Sequence, residues 1–267
     1  MSDELDPYIR RWGLLPDGEP FTTFSGFLQP VRFNGARCML KVARREKDRR
    51  GGELLVWWSG EGAAKVLVHD QRAILMERAT GASSLAEMAR SGQDDQATRI
   101  LCDVVLRLNS HKAPFPDQLV PLDQWFGDLP VAAAKYGGTF IKCAAVAADL
   151  LSNQNDFAPL HGDIHHGNVL DFGDRGWLAI DPKGLIGERG FDYANIFCNP
   201  DPAIATKPGR LQRQASLAAD AARLEWVRLL QWIVAWAGLS AAWCIEDGQE
   251  PQHALEVAKL ALAALER

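Results

Sequence analysis

Three polar side chains lie close enough in the sequence to share one reaction. They are found in His161-Gly162-Asp163-Ile164-His165-His166-Gly167-Asn168 and in Ile180-Asp181-Pro182. After Asn168 come Val169-Leu170, the turn-rich Asp171-Phe172-Gly173-Asp174-Arg175-Gly176, and the apolar run Trp177-Leu178-Ala179-Ile180. This is the pattern of a β-hairpin. A hairpin symmetric about Asp174-Arg175 sets position 168 opposite position 181, so that the Asn168 amide and the Asp181 carboxylate converge on one point. Asp163 stands five residues upstream of Asn168, in the loop that feeds the hairpin. One carboxylate to take a hydroxyl proton, with an Asn/Asp pair of hard oxygen ligands for Mg²⁺, suits phosphoryl transfer, where catalysis is mostly positioning and charge neutralisation.

The stretch resembles the catalytic loop of the protein-kinase-like fold in its aminoglycoside phosphotransferase version, where H-G-D-x-x-x-x-N replaces H-R-D-x-x-x-x-N. The block from Leu160 to Pro200 includes Gly176-Trp177-Leu178-Ala179-Ile180-Asp181-Pro182, Gly187-Glu188 and Phe191-Asp192-Tyr193-Ala194-Asn195. It is similar to the streptomycin 6-kinase and hydroxyurea phosphotransferase branch of that family. The resemblance implies an α+β, protein-kinase-like bilobal fold, with a small β-rich, nucleotide-covering N-lobe over residues 1–80. A larger, mainly helical C-lobe over 81–267 would carry the catalytic loop and substrate pocket. It further implies ATP and Mg²⁺ as cofactors, Asp163 as the residue that accepts or orients the hydroxyl proton, and Asn168 and Asp181 as metal ligands. The literal Asp171-Phe172-Gly173 stands three residues after Asn168, too close to return to the metal across a hairpin, and reads as the turn. Gly167 occupies a position where this branch often has Glu.

The first 80 residues read as short strands and turns. Phe21-Thr22-Thr23-Phe24 and Pro30-Val31-Arg32-Phe33 are β-rich runs joined by Ser25-Gly26-Phe27-Leu28-Gln29, and Asn34-Gly35 marks a tight turn into Cys38-Met39-Leu40-Lys41-Val42. One glycine here stands where a protein-kinase loop has three. The place of Ser25-Gly26 before Lys41 nevertheless makes it, under the resemblance, the nucleotide-covering hairpin. Lys41 alone reads as a solvated strand end. The resemblance makes it the lysine of the α- and β-phosphates, with Glu53 on the next helix as its partner. Leu54, Trp57 and Trp58 repeat there at helical spacing, and Glu53 by itself would equally serve the helix dipole. Arg72-Ala73-Ile74-Leu75-Met76 is a further strand, broken by Glu77-Arg78-Ala79-Thr80-Gly81. In order this resembles the hinge between lobes, where backbone groups from Glu77 to Ala79 would meet the adenine edge.

The remainder reads as mostly helical. Asp94-Asp95 precede an amphipathic stretch as N-terminal caps. A Pro-rich link, Ala113-Pro114-Phe115-Pro116, leads to an Ala-rich helix over about residues 139–151. Leu211 to Trp243 forms one long apolar helical region, followed by a C-terminal helix with Leu255, Val257, Leu260, Ala261 and Leu265. His161 is expected to orient the loop backbone, and His165 and His166 to be structural. Under the resemblance Lys183, Glu188, Arg189 and Asp192 lie beside the substrate, with Asp192 and Glu188 the candidate contacts to a cationic or hydroxyl-rich ligand. Asp192 would equally cap the helix at Tyr193-Ala194-Asn195. Glu225, Glu246, Asp247 and Glu250 either line a pocket for guanidinium groups or are solvated.

The chain has 267 residues, 47% of them hydrophobic, enough for two lobes or one large domain with a sizeable core. A net charge of −5 and a pI near 5.7 argue against a general nucleic-acid binder and suit a cationic substrate. The five cysteines are scattered without any C-x-x-C, which favours reduced core thiols. The acidic N-terminus lacks the apolar run of a signal peptide. No stretch reads as apolar over the roughly 18 residues a membrane span needs. The expectation is a cytoplasmic monomer acting on a small molecule, a cationic aminoglycoside, with neither nucleic acid nor membrane as partner.

The leading function is an ATP-dependent kinase of a small-molecule hydroxyl, with streptomycin at its 6-position as the expected substrate and antibiotic resistance as the outcome. Hydroxyurea and a cellular alcohol stay open. Gly162-Asp163-Ile164-His165 also matches the start of a metallophosphoesterase G-D-x-H site, but the G-N-H-[DE] segment such a site requires is missing, since Gly167-Asn168 is followed by Val169. A non-catalytic nucleotide-binding pseudokinase is opposed by the complete set Lys41, Glu53, Asp163, Asn168 and Asp181.

Overall fold

The computed structural model describes residues 2–111 and 114–266, so Ala113 of the Pro-rich link lies outside the described residues. The N-terminal half is built on Leu15–Pro16 (β1), Phe21–Thr22 (β2), Gly26–Phe33 (β3), Ala36–Ala43 (β4), Val66–His69 (β5) and Ala73–Glu77 (β6). They form a six-stranded antiparallel sheet in the order β1-β3-β4-β6-β5, with β2 on β3. The expected Ser25–Gln29 connection is mostly strand: β3 starts at Gly26, and the turn shrinks to Thr23–Ser25. Strand alternation puts Cys38, Leu40 and Val42 of β4 into a small core and leaves Met39 and Lys41 on the opposite face.

That small core is closed by a helix the sequence analysis did not anticipate, Ser2–Trp12 (α1), through Leu5, Tyr8, Ile9 and Trp12. The next helix, Arg50–Trp58 (α2), belongs elsewhere. Its Leu54, Leu55 and Trp58 bury into the main core, and the Trp58 indole donates to the Leu108 carbonyl at 3.1 Å. The two halves are thus distinct in sheet and helix content, while their main core is continuous through α2.

The chain crosses over residues 78–84 into Leu85–Arg90 (α3) and Asp94–Leu108 (α4). Asp94 and Asp95 lie in the first turn of α4 but do not cap it. Asp94 pairs with Arg210 and Asp95 with Arg213, and Gln214 donates to both, which ties α4 to a later helix. Then follow Val120–Pro121 (β7), Leu122–Trp125 (α5), Asp128–Tyr136 (α6), Thr139–Ser152 (α7), Phe157–Leu160 (β8), Val169–Asp171 (β9), Trp177–Ala179 (β10) and Leu185–Glu188 (β11). A 3₁₀ segment, Arg189–Cys198, leads to Pro202–Ala205 (α8), Arg210–Ala222 (α9), Trp226–Glu246 (α10) and Gln252–Leu265 (α11).

The single helical region expected over 211–243 is divided at Arg223, which sits at φ 53° and ends α9. Contrary to the expectation from the sequence, α10 is long and apolar enough to cross a membrane, with 21 residues. In the fold it is a core helix, 67% of its apolar window being buried, and it packs on α7, α11 and the 3₁₀ segment. Three tryptophans of this region spend their ring N–H on acceptors set by the fold: Trp232 on Glu188, Trp236 on Asn195 and Trp243 on Asp128.

Candidate active site

The hairpin forms as β9 and β10, with Val169 paired to Ala179, Leu170 to Leu178 and Asp171 to Trp177. This register is centred on Asp174, so Asn168 faces Ile180, one residue short of the expected pairing. The Ile180 amide donates to the Asn168 carbonyl at 2.9 Å. Asp181 then leaves the strand with φ 58°, a left-handed conformation uncommon outside glycine but best tolerated by Asp and Asn. The Asp171-Phe172-Gly173 triplet, expected as the turn, only leads into it: Asp171 ends β9 opposite Trp177 and the turn itself is the 3₁₀ segment Gly173–Arg175, while Asp171 also has a task. The Asp171 carboxylate accepts from the Gly173 and Ser83 amides at 2.9 and 3.3 Å, and its carbonyl accepts from the Gly81 amide at 3.0 Å. A side chain at Gly81 would fall 1.9 Å from Asp171 Cγ, so the crossing segment lies directly on the hairpin.

The catalytic-loop stretch is held from beneath. His161 is fully buried; its Nδ1 accepts from the Asp163 amide at 3.2 Å, which leaves Nε2 to donate to the Ile180 carbonyl at 2.8 Å. Burial pushes the His161 imidazole down to about 4. The loop's other support is Asp192, whose two carboxylate oxygens accept from the His161 and Gly162 amides at 2.8 and 2.7 Å. Desolvation raises Asp192 to about 7 against the pull of these two amides.

Two of the expected substrate contacts are therefore corrected. Asp192 is 2% exposed and spent on loop backbone, because the 3₁₀ segment that carries it packs inside the C-terminal half. Glu188 is 3% exposed and forms an ion pair with Arg228 at 2.6 Å while accepting from the Trp232 indole and the Asn155 amide. Glu225, one of the acids considered for a guanidinium pocket, accepts from the Val227 and Arg228 amides and caps α10.

Asp163, Asn168 and Asp181 do come together. Asp163 accepts from Asn195 Nδ2 at 2.8 Å, from Lys183 Nζ at 2.9 Å and from Asn168 Nδ2 at 3.2 Å. Asn168 Nδ2 also donates to the Asp163 carbonyl at 2.9 Å. Asp181 accepts from the Ser25 hydroxyl at 3.0 and 3.2 Å, from Lys183 at 3.3 Å, and from Lys41 in a close ion pair. Burial alone would raise Asp181, but Lys41 and Lys183 outweigh it and hold the carboxyl at about 2. The converse holds for Lys183: burial would lower it, and Asp163 and Asp181 raise it on balance.

The N-terminal sheet contributes Ser25, Gly26 and Lys41. Thr23 and Gly26 close the turn at whose end Ser25 stands, and Gly26 packs against the Lys41 stem. The expected Lys41–Glu53 pair is not formed. Glu53 is exposed, and Lys41 pairs with Asp181 instead. The reason lies in the first turn of α2, which rests on the loop after Asp181 so closely that a Cβ on Gly51 would lie 1.9 Å from the Pro182 carbonyl oxygen. At the end of β6 the Glu77 carboxylate is engaged by the Lys65 amide at 2.7 Å and Arg175 at 2.8 Å, and the Glu77 amide donates to the Lys65 carbonyl at 3.0 Å. Ala79 packs against the main core.

The donor set fits Mg²⁺. Asn168 spends its N–H on Asp163 and keeps its amide oxygen, and Asp181 is held ionised, so both offer hard oxygen. Among the described residues no group of three or more His, Cys, Asp or Glu could hold a metal alone. Mg²⁺ habitually takes one or two protein oxygens and completes its shell with phosphate and water. Two participants escaped the sequence analysis as site residues. Lys183 was placed only near the substrate, and Asn195 was merely part of a motif; their partners lie 20 and 32 residues away, beyond any local spacing signal.

An antiparallel sheet joined by a short crossing to a helical half, with these groups at the junction, defines a protein-kinase-like phosphotransferase. The chain belongs to the aminoglycoside/hydroxyurea antibiotic resistance kinase family, whose model matches residues 11–248. It is 52% identical over 245 residues to a streptomycin 3''-kinase of Klebsiella pneumoniae, covering 90% of this chain and 92% of that protein. It is 30% identical over 275 residues to a streptomycin 6-kinase of Streptomyces glaucescens, covering 97% and 87%. Among solved structures, a thermostable mutant of aminoglycoside phosphotransferase APH(4)-Ia in ternary complex with ADP and hygromycin B shares the fold. Its TM-score is 0.61 at 14% identity, covering 100% of this chain and 97% of that one.

Proposed function

We propose that the protein transfers the γ-phosphoryl group of ATP to a hydroxyl of streptomycin and so confers resistance. The convergence of Asp163 with Asn168 and Asp181, reached by Lys41 from the sheet, carries this reading. Asp163 accepts the proton of the attacking hydroxyl, oriented by Asn195 and Asn168. Lys41 and the Ser25-Gly26 turn hold the phosphates, and backbone from Glu77 to Ala79 meets the adenine. Asn168 and Asp181 would hold Mg²⁺, which supplies neutralisation of phosphate charge when bound.

The phosphorylated position follows the 52% identical 3''-kinase in preference to the 6-position first expected, which has support from the 30% identical relative. The acidic chain suits a guanidinium-bearing substrate. Its five unpaired cysteines, four of them buried, fit work in a reducing compartment such as the cytoplasm.

The test is ADP release from Mg-ATP with streptomycin, beside hydroxyurea, other aminoglycosides and a no-substrate control, followed by NMR of the product. Turnover with streptomycin and a phosphate at 3'' supports the whole reading, while a phosphate at 6 restores the first expectation. Tight ATP binding without turnover on any of these would move the search to other small alcohols.

A further inference from the structure

A phosphoryl group passing from nucleotide to hydroxyl must travel between Asp181 on the nucleotide side and Asp163 on the acceptor side. Both are carboxylates, and a group of several negative charges entering between them meets repulsion from each. Among the described residues Lys183 is the one lysine or arginine ion-paired to Asp163, at 2.9 Å, and the same ammonium lies 3.3 Å from Asp181 Oδ2 and 3.4 Å from the Asp181 carbonyl. Its three donors are therefore spent on the two groups that flank the path. Lys41 reaches Asp181 from the sheet but forms no pair with Asp163.

The Lys183 main chain is fixed independently of its head group. Its amide donates to the His161 carbonyl at 2.6 Å, and its Cβ lies 3.2 Å from where a Cβ of Gly162 would be, so the lysine is anchored to the loop that carries Asp163. The following Gly184 abuts Arg50 of α2. Only the flexible stem is free to move the charge.

We propose that Lys183 is a catalytic residue that clamps the γ-phosphoryl group. Its ammonium bridges the two carboxylates in the resting site and turns from Asp163 onto the γ-phosphate when the acceptor hydroxyl takes its place on Asp163. This rests on the kinase reading above. The anchored backbone confines this movement to the side-chain stem, so the loop that carries Asp163 keeps its place while the cation turns. The clamp also leaves Asp163 free to accept the proton at the moment the phosphoryl is neutralised.

The test compares the binding of ADP and of AMP-PNP, by equilibrium fluorescence or calorimetry with Mg²⁺, in the parent, Lys183→Met and Lys183→Arg proteins. The γ-phosphoryl is the group that distinguishes these ligands. Lys183→Met should weaken AMP-PNP binding about tenfold while ADP binding stays within about threefold. It should also lower kcat by about 10²–10³-fold, as loss of one preorganised donor does elsewhere. Lys183→Arg should recover most of the AMP-PNP affinity and part of kcat. Equal weakening of both nucleotides, or unchanged binding of both, would overturn the clamp. If Lys183→Met fails to fold, Lys183→Gln is read in the same assay with the same criteria. A parent protein that binds neither nucleotide defeats the kinase reading itself, an outcome separate from failure of the clamp.

Discussion

Asn195 holds Asp163 in a single orientation. Its oxygen accepts from Trp236 Nε1 at 2.9 Å and from Asn199 Nδ2 at 3.0 Å, so its nitrogen has to face the carboxylate, to which it donates at 2.8 Å. The Asp163 carboxylate is thereby referenced to α10, the buried core helix, and not only to its own loop. Asn195→Ala should lower kcat by about 10²-fold through misplacement of the base, with the KM for ATP little changed. Steady-state kinetics check this, with Asp163→Ala as the reference for complete loss of the base. A loss of nucleotide affinity equal to the loss of kcat would assign Asn195 to general stability.

Asp181→Asn keeps the shape but removes the charge that answers Lys41, Lys183 and a cation. Binding of ATP should lose most of its dependence on Mg²⁺, read as nucleotide affinity with and without the metal. Unaltered metal dependence would send the search for a ligand to Asp171, the last residue of β9, which accepts from the Ser83 amide of the crossing segment.

A pH dependence of stability is expected from the buried imidazoles. His166 is 2% exposed, neither ring nitrogen has a hydrogen-bond partner, and burial pushes it down to about 3. The unfolded chain takes up that proton near pH 6.5 while the folded chain resists it, so stability is lost as the pH falls below about 6.5. Asp192, raised to about 7, acts in the opposite sense over the same range, and His161 and His165, both pushed down, act with His166, so the whole-protein curve mixes all of these. Comparison of His166→Leu with the parent isolates the imidazole. From pH 7.5 to 5 the variant should lose about 2 kcal/mol less than the parent in urea unfolding. Parallel pH curves would contradict this.

Arg228→Met would leave Glu188 as a buried charge without its counter-ion, at a cost of about 3–5 kcal/mol. Thermal unfolding should show a Tm well below the parent's. At temperatures where the variant is folded, KM for the aminoglycoside should be unchanged, since Glu188 faces Arg228 and Trp232. A selective rise in that KM would return Glu188 to the substrate pocket.

The catalytic block was legible because its residues are near neighbours in sequence and the hairpin between them is local. Even so, the hairpin register came out one residue long, since turn residues alone did not distinguish a centre at Asp174 from one between Asp174 and Arg175. In α1 the signal was present, for Leu5, Tyr8, Ile9 and Trp12 follow helical spacing, but charged neighbours and Pro7 masked it. Asp192 and Glu188 were misread for a physical reason: a carboxylate near a catalytic motif looks the same in sequence whether it meets a ligand or two backbone amides. Glu53 was placed on the correct helix, yet the contact of Gly51 with Pro182 that seats this helix leaves no trace in local sequence. Burial and long-range partners decided each of these cases.

The hairpin also has two fastened ends. At its turn, Asp171 grips Gly81 and Ser83 of the crossing segment; at its exit, the strand delivers Asp181. Under the proposed function, adenine lies against the first end and the phosphates against the second, and the hairpin would then set the distance between the two. Lengthening it by a residue pair would change which phosphate donor fits before it changed how fast any donor reacts.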